Sequence, residues 1–197
     1  MSGKPRTLFR AEEIAELVRR LGAEISADHP EGLALVGVLK GSVCLVADLA
    51  RAIDVPCVLD FLALSAYAGG SARVRILKDI DIDVRGLDVV LVEDVIDTGL
   101  SSGYVVGLLA QRGARRVEVC ALLDRPARRI LPVPLRYVGA EVPDDFLVGY
   151  GLDAAERYRN LPGIHVVDPA RLDEERAPVE AALYGNGAAY PTPLQSG

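Results

Sequence analysis

Apolar residues in this chain follow two patterns, one typical of amphipathic helices and one typical of buried strands. In residues 11–27 they recur at helical spacing, which predicts an amphipathic helix with its charged face outward. By contrast, Leu33–Leu39, residues 55–64, 89–93 and 117–123 are nearly continuous apolar runs. Such runs are typical of strands that are covered on both faces.

Helical and loop segments separate these strands. Residues 43–53 and about 100–112 are predicted helices, the second ended by Gly113 as a C-cap. Strand and helix therefore alternate from residue 33 to 123, which predicts an α/β fold whose central, mostly parallel sheet is flanked by helices. Ligands of such sheets bind beyond the carboxyl ends of the strands, at the switch point, so we expect the site there.

The two ends of the chain depart from this alternation. We expect a single domain over residues 1–178, with a core at about 30–135 and a small hood from the N-terminal segment and about 135–170. Residues 179–197 are rich in Ala, Gly, Pro and Tyr and show little periodicity, which predicts a poorly ordered tail. Residues 65–72 contain two adjacent glycines and are predicted to form a mobile loop.

Composition narrows the class of protein. Half of the 197 residues are apolar, and 28 acids against 22 Lys and Arg leave a net charge of −6. This charge disfavours a nucleic-acid partner. No apolar run reaches membrane-spanning length, and the three cysteines lie in apolar runs, which is typical of core cysteines in a reducing compartment. We therefore expect a cytoplasmic protein without a membrane partner.

The strongest local signal follows the strand at residues 89–93. Two adjacent carboxylates, Glu93 and Asp94, precede Asp97 and a turn of small residues, after which a helix begins. The N-terminus of a helix offers free N–H groups to a phosphate, and the carboxylates suit ribose hydroxyls or magnesium. A solvated strand end is the alternative for the pair. For Asp97, a general base and a helix N-cap are equally compatible with the pattern.

A second candidate cradle for an anion is the loop Lys40-Gly41-Ser42, which follows the strand Leu33–Leu39. Glycine lets a backbone N–H approach a phosphate, and Lys40 adds positive charge. A plain connection is an equally good interpretation of this loop by itself.

Residues 92–101, Val-Glu-Asp-Val-Ile-Asp-Thr-Gly-Leu-Ser, resemble the phosphoribosyl-pyrophosphate motif of type I phosphoribosyltransferases, and more narrowly that of the hypoxanthine(-guanine) phosphoribosyltransferases. Residues 38–42, 124–125 and 141–159 are similar to three other segments of that family, in the same order. The resemblance covers about residues 7–167. It implies the type I phosphoribosyltransferase fold and a Mg²⁺-dependent enzyme of purine salvage. Such an enzyme transfers 5-phosphoribosyl from phosphoribosyl pyrophosphate to N9 of hypoxanthine or guanine and releases pyrophosphate.

The resemblance also implies roles around the sugar. Glu93 and Asp94 would hold the ribose hydroxyls and Mg²⁺, with Asp153 as a further metal ligand through water. Asp97 would be the general base that accepts the proton of purine N7. The 5′-phosphate would lie on the turn formed by Thr98, Gly99, Leu100 and Ser101. The residues implied for pyrophosphate are Lys40, Gly41 and Arg159.

For the purine, the resemblance implies Arg125, Phe146, Leu147 and Asp153. Arg125 stands where the family has a lysine that contacts O6. Phe146 would stack on the base, and the backbone of Leu147 would contact its edge. Considered singly, Phe146 fits a core aromatic, Asp153 a helix N-cap and Arg159 a surface charge. Ser65 and Tyr67 would belong to a lid that excludes water, although Ala66 stands where the family usually has serine.

Two rival interpretations remain open. One is a pyrimidine phosphoribosyltransferase, which the segment 146–153 disfavours. The other is a regulator that binds phosphoribosyl pyrophosphate together with RNA or DNA, which the negative net charge disfavours. By resemblance we expect a homodimer or homotetramer.

Overall fold

The structure is a computed structural model that describes residues 4–65, 75–174 and 176–185. Its main sheet contains six strands, and a smaller sheet contains three. The strands of the main sheet are β2 (Leu33–Leu39), β3 (Cys57–Leu64), β4 (Ile76–Lys78), β5 (Asp88–Ile96), β6 (Arg116–Asp124) and β7 (Leu135–Glu141). Those of the smaller sheet are β1 (Arg6–Phe9), β8 (Leu147–Val148) and β9 (Ile164–Val166). The helices are α1 (Ala11–Asp28), α2 (Val43–Ala52), α3 (Leu100–Gln111), α4 (Pro169–Glu174) and α5 (Arg176–Tyr184).

The main sheet has the strand order β4-β3-β2-β5-β6-β7. All of its neighbouring pairs are parallel except β3 and β4, which are antiparallel. One face packs on α1 and α2 through Val90 and Val92, and the other packs on α3 through Val89 and Leu91. The predicted α/β class with a mostly parallel, helix-flanked sheet is confirmed.

The switch point lies between β2 and β5. After β2 the chain proceeds to β3 on one side, and after β5 it proceeds to β6 on the other. The loops that leave the carboxyl ends of β2 and β5 therefore start side by side, at the place where open α/β sheets bind ligands.

The smaller sheet has the order β1-β9-β8 and is antiparallel. It joins the N-terminal segment to the region after residue 146, while the division into a core and a hood stays a prediction. β7, which begins at the expected hood boundary of about residue 135, is the edge strand of the main sheet and buries Tyr137 in its core. Apolar packing also extends the ordered chain, since α5 covers residues expected in the tail and buries Val179 against Tyr158.

One glycine shapes the helical layer. Gly22, a poor residue for the middle of a helix, lets α1 approach α2 closely, because a Cβ there would overlap Ala52.

Among the described residues, no helix combines the length and apolar character needed to cross a membrane. Tyr67 and residues 186–197, for which a lid and a tail were expected, lie outside the described residues.

Candidate active site

The acidic pair lies inside β5, which extends to Ile96 rather than ending at residue 93 as predicted. Successive side chains of a strand point to opposite faces, and the two carboxylates follow this rule. Glu93 faces α3 and accepts a hydrogen bond from Oγ of Ser102 at 2.8 Å. Asp94 faces the loop after β2, where it lies against Gly41. The pair therefore joins two loops that are far apart in the sequence.

Both carboxylates are held in an environment that disfavours their charge. Burial, with the neighbouring charge of Asp94 as a second cause, raises the pKa of Glu93 to about 8. Burial also raises the pKa of Asp94. For Asp94, the positive charge of Arg159 partly offsets this effect. Two neighbouring carboxyls that are disfavoured as free anions fit a Mg²⁺ ion that takes its other ligands from substrate oxygens and water, because the cation would stabilise their charged form.

The described residues contain no cluster of three or more His, Cys, Asp or Glu that would hold a metal by itself. Glu93, Asp94 and Asp153 as joint ligands of Mg²⁺ therefore stay a prediction.

The loop after β2 is packed tightly from two sides. The peptide between Leu39 and Lys40 is cis. A Cβ at Gly41 would overlap the carboxylate of Asp94, and a Cβ at Gly151 would overlap the carbonyl oxygen of Gly41. Gly151 also has a positive φ of 98°, which favours glycine. The backbone of Gly41 is thus held between β5 and the 149–151 turn.

The turn after β5 depends on glycine as well. Gly99, at φ 80°, is the N-cap residue of α3, and a Cβ there would overlap the carbonyl oxygen of Leu131. The carbonyl of Thr98 accepts hydrogen bonds from the N–H groups of Ile130 and Leu131 at 3.0 and 2.9 Å. The 130–131 segment therefore holds the turn in place. The N–H of Leu100, the first residue of α3, donates to Oγ1 of Thr98 at 3.4 Å, and the start of a helix is where N–H groups can bind an anion.

An open cleft of about 300 Å³ connects this turn with the end of β2. Its lining includes several residues predicted to bind the sugar phosphate and the lid residue Ser65. The predicted residues that line it are Ser65, Glu93, Asp97, Thr98, Gly99 and Ser101.

Asp97 is surrounded by three arginines that follow β6. Nη1 of Arg125 donates to its Oδ1 at 2.8 Å, and Nη1 of Arg128 lies 3.5 Å from its Oδ2. Nε of Arg129 donates to the backbone carbonyl of Asp97 at 2.9 Å. The contacts of Arg128 and Arg129 with Asp97 were not predicted from the sequence, for which a basic surface loop was the alternative interpretation. Three arginines within five residues were the available signal.

Arg125 also connects Asp97 to the segment predicted to bind the base. Its side chain is 7% exposed, and its Nη2 donates to the carbonyl of Asp145 at 2.9 Å. The next residue, Phe146, is 41% exposed and lines a separate cavity with Ala154, Ala155, Arg157 and Tyr158. Leu147 is buried in β8 and pairs with Val166. The structure thus brings Phe146 and Leu147 near Arg125, but Phe146 does not line the cleft that contains Asp97.

The last group of predicted residues lies in the turn between β8 and β9. Oδ1 of Asp153 is 2.9 Å from Nη2 of Arg159, and its Oδ2 accepts the N–H of Glu156 at 2.8 Å. Nη1 of Arg159 donates to the carbonyl of Gly151 at 2.7 Å. Lys40 reaches the same turn, since its Nζ is 2.9 Å from Oε2 of Glu156. The sequence did not single out Glu156.

A parallel sheet with buried carboxylates and a helix N-terminus at its switch point is an arrangement that binds nucleotides and sugar phosphates. Comparison with known proteins specifies this class. Residues 6–155 match the family model of the phosphoribosyl transferase domain. The chain is 44% identical over 169 residues to the hypoxanthine-guanine phosphoribosyltransferase of Bacillus subtilis, covering 84% of this chain and 94% of that protein.

Two further relatives agree. The hypoxanthine phosphoribosyltransferase of Salmonella typhimurium is 45% identical over 164 residues, covering 82% of this chain and 90% of that protein. The crystal structure of a hypoxanthine-guanine phosphoribosyltransferase from Bacillus anthracis matches with a TM-score of 0.80 at 39% identity, covering 83% of this chain and 98% of that one. The chain therefore belongs to the phosphoribosyltransferase family and, within it, to the hypoxanthine-guanine phosphoribosyltransferases.

Proposed function

We propose that this protein transfers the 5-phosphoribosyl group of phosphoribosyl pyrophosphate to N9 of hypoxanthine or guanine. The products would be inosine or guanosine monophosphate and pyrophosphate, as required for purine salvage. The observation that carries the proposal is the convergence of three loops at the switch point, where Gly41 lies against Asp94 and Asp97 is bound by Arg125. The names of the relatives support the choice of substrates.

The phosphates would lie on two loops. Thr98, Gly99, Leu100 and Ser101 would bind the 5′-phosphate through backbone N–H groups and hydroxyls at the start of α3. Lys40, Gly41 and Arg159 would bind the pyrophosphate. Because the transition state resembles a ribosyl cation with a departing diphosphate on which negative charge accumulates, positive charge at the pyrophosphate supports bond breaking.

Magnesium is the proposed cofactor. Glu93 and Asp94, with Asp153 through water, would hold it near the ribose hydroxyls and the diphosphate. When bound, it would neutralise the leaving group. The raised pKa values of Glu93 and Asp94 support this assignment, because a divalent cation would supply the positive charge that the buried pair lacks.

Asp97 is the proposed proton acceptor for purine N7 while N9 forms the bond to the sugar. Arg125 would hold its carboxylate in position and contact the purine, together with Phe146, Leu147 and Asp153. Arg128 is half-exposed and 3.5 Å from Oδ2 of Asp97, so this arginine is the one that a base would displace. A lid that includes Ser65 and Tyr67 would exclude water, since the sugar cation is otherwise hydrolysed.

Release of pyrophosphate tests the proposal, with hypoxanthine, guanine, xanthine and uracil as acceptors in separate assays. We expect turnover with hypoxanthine or guanine. Turnover of uracil alone would favour the pyrimidine enzyme, and no turnover of any base would refute the enzymatic function. The homodimer or homotetramer proposed from the resemblance is tested by light scattering of the purified protein.

The role of Asp97 is tested by Asp97→Asn, which should abolish most turnover while phosphoribosyl pyrophosphate still binds. Asp54→Asn, an exposed change of the same chemistry far from the cleft, is the matched control. Unchanged turnover of Asp97→Asn would remove Asp97 from the proposed role.

A further inference from the structure

One carboxylate bridges the two cationic side chains that the proposed function assigns to pyrophosphate. Oε2 of Glu156 lies 2.9 Å from Nζ of Lys40 and 3.3 Å from Nη2 of Arg159. A single oxygen atom thus pairs with both cations, as an oxygen of a bound diphosphate would do.

We propose that Glu156 is an internal anion that occupies the pyrophosphate subsite in the ligand-free protein and competes with the diphosphate for Lys40 and Arg159. Binding of phosphoribosyl pyrophosphate displaces it, and its return assists the release of pyrophosphate. This inference rests on the proposed function, because that function assigns Lys40 and Arg159 to pyrophosphate.

The backbone around Glu156 is arranged to present this side chain. Ala155 and Glu156 both have positive φ values, 49° and 65°, which are uncommon for residues other than glycine. The N–H of Glu156 is bound by Oδ2 of Asp153 at 2.8 Å, and Ala154 forms a bridge with Arg157. These backbone contacts do not involve the carboxylate of Glu156, so the turn remains held when that carboxylate leaves the cations.

The ion pair is also easy to displace. The side chains of Lys40 and Glu156 are 66% and 64% exposed, and exposed ion pairs contribute little to stability. Contact with Lys40, followed by contact with Arg159, lowers the pKa of Glu156, so the competing group is anionic at neutral pH.

Arg159 keeps its position without Glu156. It retains Asp153 and the carbonyl of Gly151 as partners. Its Nε is buried and has no hydrogen-bond partner in the described part of the chain. A diphosphate that displaces Glu156 from Nη2 therefore meets a guanidinium that is already oriented.

Glu156→Gln tests the proposal, because glutamine keeps the shape and removes the charge. We expect the inhibition constant for pyrophosphate and the KM for phosphoribosyl pyrophosphate to fall by about three- to tenfold, as for the loss of two exposed ion pairs. For Glu156→Asp, which keeps the charge on a shorter side chain, both constants should lie between those of the wild type and those of Glu156→Gln. Glu12→Gln on the exposed face of α1 changes the net charge equally and should leave both constants unchanged.

Calorimetric titration of the same variants with magnesium pyrophosphate gives the affinity without turnover. The gain in pyrophosphate affinity caused by Glu156→Gln should become smaller as the salt concentration rises, because the competing interaction is between exposed charges. A merely structural Glu156 would give the opposite sign, since loss of its contacts would loosen the turn and weaken pyrophosphate binding. Unchanged or weaker binding by Glu156→Gln would overturn the inference.

The wild-type turnover assay separates this failure from failure of the proposed function. Normal turnover of hypoxanthine or guanine with no tightening by Glu156→Gln overturns the inference alone. Absent turnover in a wild type whose pyrophosphate affinity still rises with Glu156→Gln overturns the enzymatic function alone. If neither the wild type nor the variants bind magnesium pyrophosphate, both are wrong.

Discussion

Replacing Glu93 by glutamine should make the ligand-free protein more stable. Glu93 is 7% exposed, and the hydroxyl of Ser102 is the hydrogen-bond donor found for its carboxylate in the described chain. Glutamine has nearly the same volume and keeps an acceptor for Ser102, while it removes a buried negative charge next to Asp94. The variant therefore relieves the cost of burying the charge and leaves the packing intact.

The size of the effect follows from the pKa. In the folded protein the pKa of Glu93 is raised from the ordinary 4.5 to about 8, so the native state favours the protonated form. Below pH 4.5 the group is protonated in both states and costs nothing. The cost grows as pH rises and is complete above the folded pKa. By linkage, the stability cost of burying the carboxyl of Glu93 is at most about 1 kcal/mol near pH 5 and at most about 3 kcal/mol near pH 7.

The assay is urea unfolding in the presence of a chelator, at about pH 5, 7 and 9. We expect Glu93→Gln to raise the free energy of unfolding by about 1–3 kcal/mol near pH 7, and by less near pH 5. The exposed Glu12→Gln is the control and should show no such trend. A gain that does not depend on pH, or no gain at pH 7 and above, would refute the argument. The same variant should lose affinity for Mg²⁺ and phosphoribosyl pyrophosphate, because binding sites are often built at the expense of stability.

Three further predictions concern other parts of the molecule. Gly41→Ala places a methyl group on a carboxylate and should lower kcat/KM for phosphoribosyl pyrophosphate by about 100-fold, measured by initial rates, with circular dichroism unchanged. Arg125→Met leaves Asp97 without its nearest cation and should lower kcat/KM for the purine by about 30-fold or more, while the affinity for phosphoribosyl pyrophosphate, measured by calorimetry, stays within about twofold. The hydrogen bond from Arg115 holds the pKa of Asp88 at about 2 instead of 3.8. Asp88→Asn should therefore cost about 1–2 kcal/mol above pH 4, a difference that disappears in urea unfolding as pH falls to about 2; an equal cost at both pH values would contradict this cause.

Much of the fold follows from local pattern. The apolar runs of β2, β5 and β6 and the helical periodicity of α1 were sufficient to predict a parallel sheet, because strands covered on both faces carry few polar residues. The glycine at the end of α3 marked its boundary, and the acid-rich turn after β5 marked the switch point. These signals are local, so a single sequence contains them.

Segments with weak local signals were misjudged where packing decided their structure. β7 mixes four apolar residues with charged residues and glycine, which is a weaker signal than a continuous apolar run, yet it pairs with β6 along its length. α5 shows little periodicity and is held by the burial of Val179. In both cases the partner surface, which a sequence pattern does not display, supplies the stabilisation.

The sequence by itself therefore determined the class of fold, the rim on which the site lies and the residue types at the turn after β5. Only the tertiary structure decided which of these residues meet. Lys40 and Glu156 are 116 positions apart and form an ion pair. Position 41 has no room for a side chain, because Asp94 of β5 and Gly151 of the later turn both pack against the backbone of Gly41. Contacts of this kind depend on backbone positions set by the whole sheet and hood. They leave no periodic trace in the sequence around either partner.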